Sequence, residues 1–190
     1  MTNGRVNQKL RTRTEILRAA IELIRTGRDV TMVEIAKAAL VSEATAYRHF
    51  PDLPSLLAEA MSSEMVGVTL TGAGAAADPV ERIAVATERL LRHVLTYQGA
   101  VRAMIAATIT RPSTARTRPG LRFGLIDDAL APLAGTLDPA AFAQLKNDLA
   151  IVVSAEALFS LTDLAGLTPD AAVASAVHTA TTLTRAALAG

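Results

Sequence analysis

The chain has 190 residues, about half of them apolar, a net charge of +1 and no cysteine. Without thiols it has no disulfides, and with only His49, His93 and His178 it offers little for a zinc site, so neither metal nor cofactor is expected. Scarce aromatics and abundant alanine favour closely packed helices over an aromatic-rich sandwich, and an all-α fold of about nine helices is predicted.

The charge is uneven. Residues 1–50 hold nine Lys/Arg against five Asp/Glu, a balance of +4, while residues 51–190 hold ten against thirteen, a balance of −3. Arg5, Lys9, Arg11 and Arg13 meet no acid before Glu15. This split suits an N-terminal part that meets a polyanion and a C-terminal part that does not, although a solvated basic tail has the same composition. The opening MTNGRVNQKLRTR lacks the apolar centre of a signal peptide. The longest stretch free of Asp, Glu, Lys and Arg, Ala171 to Thr184, falls short of the roughly 18 apolar residues of a membrane span. A cytoplasmic protein is expected.

In chain order, Ile16, Ala20, Leu23 and Ile24 share one face of a first helix over 13–26, opposite Glu15, Arg18, Glu22 and Arg25, and Gly27 stops it. Thr31 with Glu34 forms a capping box that starts a short second helix to about Ala39. Ser42 caps a third, Glu43 to about Phe50, after a tight turn at Leu40 and Val41, and Pro51 ends it. One longer helix followed by two short ones across a tight turn is a unit of helix-turn-helix type. Asp52 and Pro54 open a fourth helix that fades into the Gly/Ala-rich residues 71–77. Asp78-Pro79 with Glu81 opens a fifth, to about Gln98, and Gly99 separates it from a sixth over 100–110. The loop 111–120, with two prolines and three arginines, reads as disordered or lid-like. A seventh helix spans 121–133, Asp138-Pro139 opens the eighth, and Thr168-Pro169 opens the ninth.

The segment Thr31 to Phe50 carries the functional signal. Ile35 is an apolar anchor, Ala36 is small enough for a close helix crossing, Val41 plugs the turn and Ala46 lies inside. Glu43, Ala44, Thr45, Tyr47 and Arg48 are then left pointing outward, as residues entering a major groove must.

Here the sequence resembles the TetR family, which includes AcrR-type regulators. The likeness covers about Thr12 to Met61 and runs through Thr31, Ile35-Ala36, Val41-Ser42, Thr45, Tyr47-Arg48-His49-Phe50-Pro51 and Leu56-Leu57. The resemblance implies a basic arm at 1–11, a DNA-binding domain at 12–58 and a ligand-binding and dimerisation domain at 59–190. It implies Ser42, Glu43, Ala44 and Arg48 as base readers. Thr45, Tyr47 and His49 would lie on phosphate or the groove edge, with Thr31, Met32 and Val33 at the start of the second helix beside the backbone. Two residues depart from the pattern. Leu40 stands where the family has Gly, at roughly 1–2 kcal/mol if the turn stays left-handed. Leu53 replaces a cation that would hold a phosphate.

By the same resemblance the remaining helices bind a small apolar or amphipathic effector and form a homodimer through the last two. The dimer would bind a palindromic operator, most simply as a repressor. His93, Tyr97, Arg102, Met104, Phe123 and Asp127 lie on helices that the family uses to wall its effector pocket. Glu156 sits in an apolar run and requires a partner, with Arg185 of either subunit preferred over a cationic ligand. Catalysis is not expected, because the chain has no Gly-rich phosphate loop and no nucleophile motif. The alternative reading is a helical ligand-binding or scaffold protein with a weak, degenerate DNA-binding head.

Overall fold

The structure is a computed structural model that describes residues 3–64, 78–110 and 120–189. The expected Gly/Ala-rich fade at 71–77 and all but the last residue of the expected loop 111–120 lie outside the described residues. Among the described residues there are ten α-helices and no strand. They gather into two units: residues up to 64 with 96–110, and 78–95 with 120–189.

The first unit holds α1 (Asn3–Ile24), α2 (Met32–Ala38), α3 (Glu43–His49), α4 (Leu53–Glu64) and α6 (Gln98–Thr110). Its core is built from Ile16, Ala20, Ile24, Ile35, Phe50, Leu56, Leu57 and Met61, all buried. Each such large side chain removed from water stabilises the unit by about 1.5–3 kcal/mol. Helix α1 starts ten residues before its expected beginning at Arg13. Residues 5–12 contain no Pro or Gly, and Gln8, Lys9, Leu10 and Arg11 are good helix formers, so nothing local interrupts the helix. Gly27 ends the helical run with φ +71.

Two of the expected helix boundaries shift. Helix α5 (Pro79–Thr96) ends before Tyr97, and Gly99 lies inside the first turn of α6 rather than between helices. A Cβ at Gly99 would stand 2.2 Å from the carbonyl oxygen of Arg28, so glycine serves close approach here and not helix termination. The expected long eighth helix is split into α8 (Pro139–Val152) and α9 (Ala155–Phe159), followed by a π turn over Ser160–Leu164. The β-branched run Ile151-Val152-Val153 weakens the helix. Ser154, itself extended, then caps the next one by accepting from the Ala157 amide at 3.1 Å.

The second unit contains α5 up to Leu95, α7 (Leu121–Leu130), α8, α9 and α10 (Pro169–Ala189). Leu125, Ile126, Leu130, Leu145, Leu149, Leu158 and Val173 fill its core. Small residues on α10, Ala172, Ala176 and Ala180, are buried and allow close helix approach. The buried hydroxyls of Thr87 and Thr184 return to their own helices, donating to Ile83 O at 2.7 Å and Ala180 O at 2.9 Å. Neither of these two hydroxyls is left without a partner. No described helix is long and apolar enough to cross a membrane.

Candidate nucleic-acid interface

The capping box at Thr31 forms in full. The Thr31 amide donates to Glu34 Oε2 at 2.9 Å and the Glu34 amide to Thr31 Oγ1 at 3.2 Å. These bonds to Thr31 hold the Glu34 carboxyl below its ordinary pKa. Ser42 caps α3, accepting from the Thr45 amide at 3.2 Å. Between the caps, the Val41 amide closes the turn on Ala36 O at 2.9 Å. Leu40 adopts φ +56 and is 92% exposed, so the turn keeps the left-handed geometry for which glycine is suited.

Helix α3 is pinned from behind. Ala46 is fully buried, and Phe50, the next inward residue, lies beneath Arg13, whose guanidinium sits 4.4 Å from the ring centroid. Arg13 also forks onto Glu59 of α4, with Nη2 to Oε2 at 2.6 Å. The fork holds the Glu59 carboxyl below its usual range. A short helix fixed at its cap, its inner face and its last turn presents its other side in one orientation.

That other side carries the expected readers. Ser42, Glu43, Ala44, Tyr47 and Arg48 are exposed, and Thr45 and His49 are half-buried. Ser42, Thr45 and Arg48 form a line of hydroxyl and guanidinium: Ser42 Oγ lies 2.9 Å from Thr45 Oγ1, and Arg48 Nη2 donates to Thr45 Oγ1 at 2.6 Å. Arg48 is thereby drawn back along the helix over its outer face. Thr31 and Val33 are exposed at the start of α2, but Met32 is buried in the core, which leaves it no side chain to offer outward. Leu53 is half-buried, and Asp52 beside it caps α4 by accepting from the Ser55 amide at 2.8 Å.

The expected ligand residues fall in both units. Tyr97, Arg102 and Met104 belong to the first, where Met104 is buried and the Tyr97 hydroxyl donates to Glu64 Oε2 at 2.9 Å. Burial and this bond to Glu64 raise the Tyr97 pKa. His93, Phe123, Asp127 and Glu156 belong to the second. There His93 is half-buried, Asp127 pairs with Lys146 at 2.5 Å, and Phe123 is 52% exposed with Arg122 5.0 Å from its ring centroid. Within the chain, Glu156 meets Arg122 at 3.1 Å rather than Arg185. Arg122 sits in the first turn of α7, a helix that the periodicity of the α9 region gives no reason to bring close, and sequence reasoning missed it. The Arg122 Nε is buried with no hydrogen-bond partner among the described residues.

A three-helix head with a capped, outward-facing third helix defines a helix-turn-helix DNA-binding protein of the transcriptional-regulator class. The family model described as "Bacterial regulatory proteins, tetR family" matches residues 16–60, the span that forms this head. Among solved structures, one similar chain is "a TetR transcriptional regulator from Rhodococcus sp. RHA1", 23% identical, covering 92% of this chain and 96% of that one, with a TM-score of 0.58. At that identity the likeness speaks for the fold. No curated protein matches the sequence. Residues 16–60 are thus similar to the tetR family of bacterial regulatory proteins.

Proposed function

We propose that this regulator binds a roughly palindromic operator as a homodimer, represses from it, and is released by a small apolar or amphipathic effector. The observation that carries the reading is the division of α3. Ala46 is sealed into the core while Glu43, Ala44, Tyr47 and Arg48 stand outside on a helix fixed at both ends. Arg48 supplies the one long cation of α3 for a guanine edge, Ala44 suits a thymine methyl, and Glu43 suits a cytosine amino group. The hydroxyls of Thr31, Ser42, Thr45 and Tyr47, with His49, suit phosphate.

The preserved left-handed turn at Leu40 speaks against the alternative of a degenerate head, because a head free of function has no reason to keep a strained turn. Dimerisation through the last helices is supported by the small exposed residues of α10, Ala171, Ala174 and Ala186, which permit close packing of a second copy. For the effector, the side chains of His93 and Phe123 offer more than Asp127 and Glu156, whose charges are already answered by Lys146 and Arg122. Release then follows if the effector binds better to a dimer whose heads are off operator spacing.

Selection of the full-length protein against a random duplex pool tests the reading. Recovery of a palindromic consensus whose binding weakens steeply with salt is expected. No enrichment, or binding indifferent to salt, overturns it.

A further inference from the structure

Helix α3 holds its outward cation with a neutral partner. The positions three and four residues before Arg48, one turn back on the same side of the helix, are Thr45 and Ala44. A carboxylate at either place would pair with the guanidinium and cancel the charge before DNA arrives. Threonine holds the charge without cancelling it: Arg48 Nη2 donates to Thr45 Oγ1 at 2.6 Å. No ion pair among the described residues engages Arg48. Glu43 stands five residues before Arg48, outside the three-and-four spacing at which helical side chains meet. A guanidinium has five N–H donors, so the bond to Thr45 leaves most of the fork for a base edge.

The bond continues into the helix cap. Thr45 Oγ1 lies 2.9 Å from Ser42 Oγ, which also accepts from the Thr45 amide at 3.2 Å. Hydroxyls in a chain strengthen one another when each accepts on one side and donates on the other, so the favoured order runs from Arg48 to Thr45 to Ser42. In that order the single proton of the Thr45 hydroxyl points at Ser42 and is not offered to a phosphate. By type this hydroxyl suits phosphate, but its place in the relay gives it another duty. The guanidinium is tied through two hydroxyls to the start of a helix whose inner residue, Ala46, is fully buried.

We propose that Thr45 is a positioning residue for Arg48: its hydroxyl holds the guanidinium along the outer face of α3, aimed at one base edge, and so sets specificity without itself contacting DNA. The inference rests on the DNA-binding reading and names, within it, the residue that directs the base reader. An arginine already laid along the helix loses less rotamer freedom on binding. A fork fixed in direction also favours bidentate contact with one base over single contacts with several.

The test uses the full-length protein, the duplex recovered by selection with the unaltered chain, and duplexes in which each base pair of that sequence is changed in turn. Affinities are read by fluorescence anisotropy. Arg48→Gln identifies the base pair that Arg48 reads, as the position whose preference is lost. Thr45→Val removes the hydroxyl with little change of shape. It is expected to lower discrimination at that same position by about 2- to 10-fold, the range for freeing one long side chain, with the other positions unchanged. Thr45→Ser returns the hydroxyl and is expected to restore the discrimination. With Arg48→Gln already present, Thr45→Val should change nothing further at that position. Circular dichroism checks folding, and should Thr45→Val not fold, Thr45→Ala makes the same deletion with a better helix former. Equal weakening of every duplex by Thr45→Val would mark Thr45 as a phosphate contact and overturns the inference. Unaltered preferences in Arg48→Gln overturn it too, and both results leave the regulator reading standing. Failure of the unaltered protein to enrich any duplex overturns both.

Discussion

A Cβ placed on Gly99 would lie 2.2 Å from the carbonyl oxygen of Arg28 and 2.8 Å from the Asp29 amide nitrogen. The first turn of α6 thus rests directly on the backbone that links α1 to α2, and no flexible side chain lies between them to give way. Gly99→Ala must displace main chain. A loss of roughly 2–3 kcal/mol is expected, at the upper end of overpacking costs. Urea unfolding measures it, and a variant as stable as the parent would show that the seat is looser than the geometry describes.

Tyr97 reinforces the same seat. Its hydroxyl and the guanidinium of Arg25 both donate to Glu64, whose side chain is only 12% exposed. Tyr97→Phe removes one donor but leaves the carboxylate paired with Arg25. The expected loss is about 1–2 kcal/mol, as for a hydrogen bond to a charged acceptor. Glu64→Gln weakens both bonds, and in a double-mutant cycle the two changes should lose less together than the sum of their separate losses. Additive losses would show that Tyr97 stabilises through packing alone.

Leu40 gives a prediction of the opposite sign. Its side chain is almost wholly in water and its φ is +56, so it contributes strain and little burial. Leu40→Gly relieves about 1–2 kcal/mol of left-handed cost and returns about 0.4–1 kcal/mol to the unfolded chain as entropy. A net gain of about 0–1.6 kcal/mol is expected in thermal or denaturant unfolding. Destabilisation would mean that the leucine side chain makes contacts its exposure does not suggest.

The head was readable in the sequence because its signals are local. The Thr31 capping box, the Ser42 cap, Gly27, Pro51 and the inward positions of Ile35 and Ala46 each act within a few residues, and the structure places each as expected. What was missed depends on distant partners. Gly99 reads as a separator until Arg28 is seen against it, and Glu156 has no reason to choose Arg122 until α7 and α9 are brought together. The family resemblance sets Met32 beside the DNA backbone at a helix start, yet its side chain is buried in the core. The break at Ser154 was legible in principle, since a β-branched run precedes a serine that caps. The long apolar period across it masked the signal.

The last prediction concerns His49, whose proton affinity is lowered by burial and by Lys9, Arg13 and Arg48. In the free protein the unfolded chain binds this proton more readily than the folded one, in the window between the lowered value and the ordinary value of about 6.5. Stability contributed by the neutral imidazole is therefore present above that window and is lost as pH falls through it. A backbone phosphate at His49 acts in the opposite sense, since it favours the imidazolium and makes DNA binding take up a proton. Affinity should then rise as pH falls through the same window in which the free protein loses stability. Thermal melting of the free chain and anisotropy with a recovered duplex, each run from about pH 5.5 to 7.5, measure the two slopes. His49→Gln should flatten both. Slopes of the same sign in the unaltered protein would mean that no phosphate reaches His49.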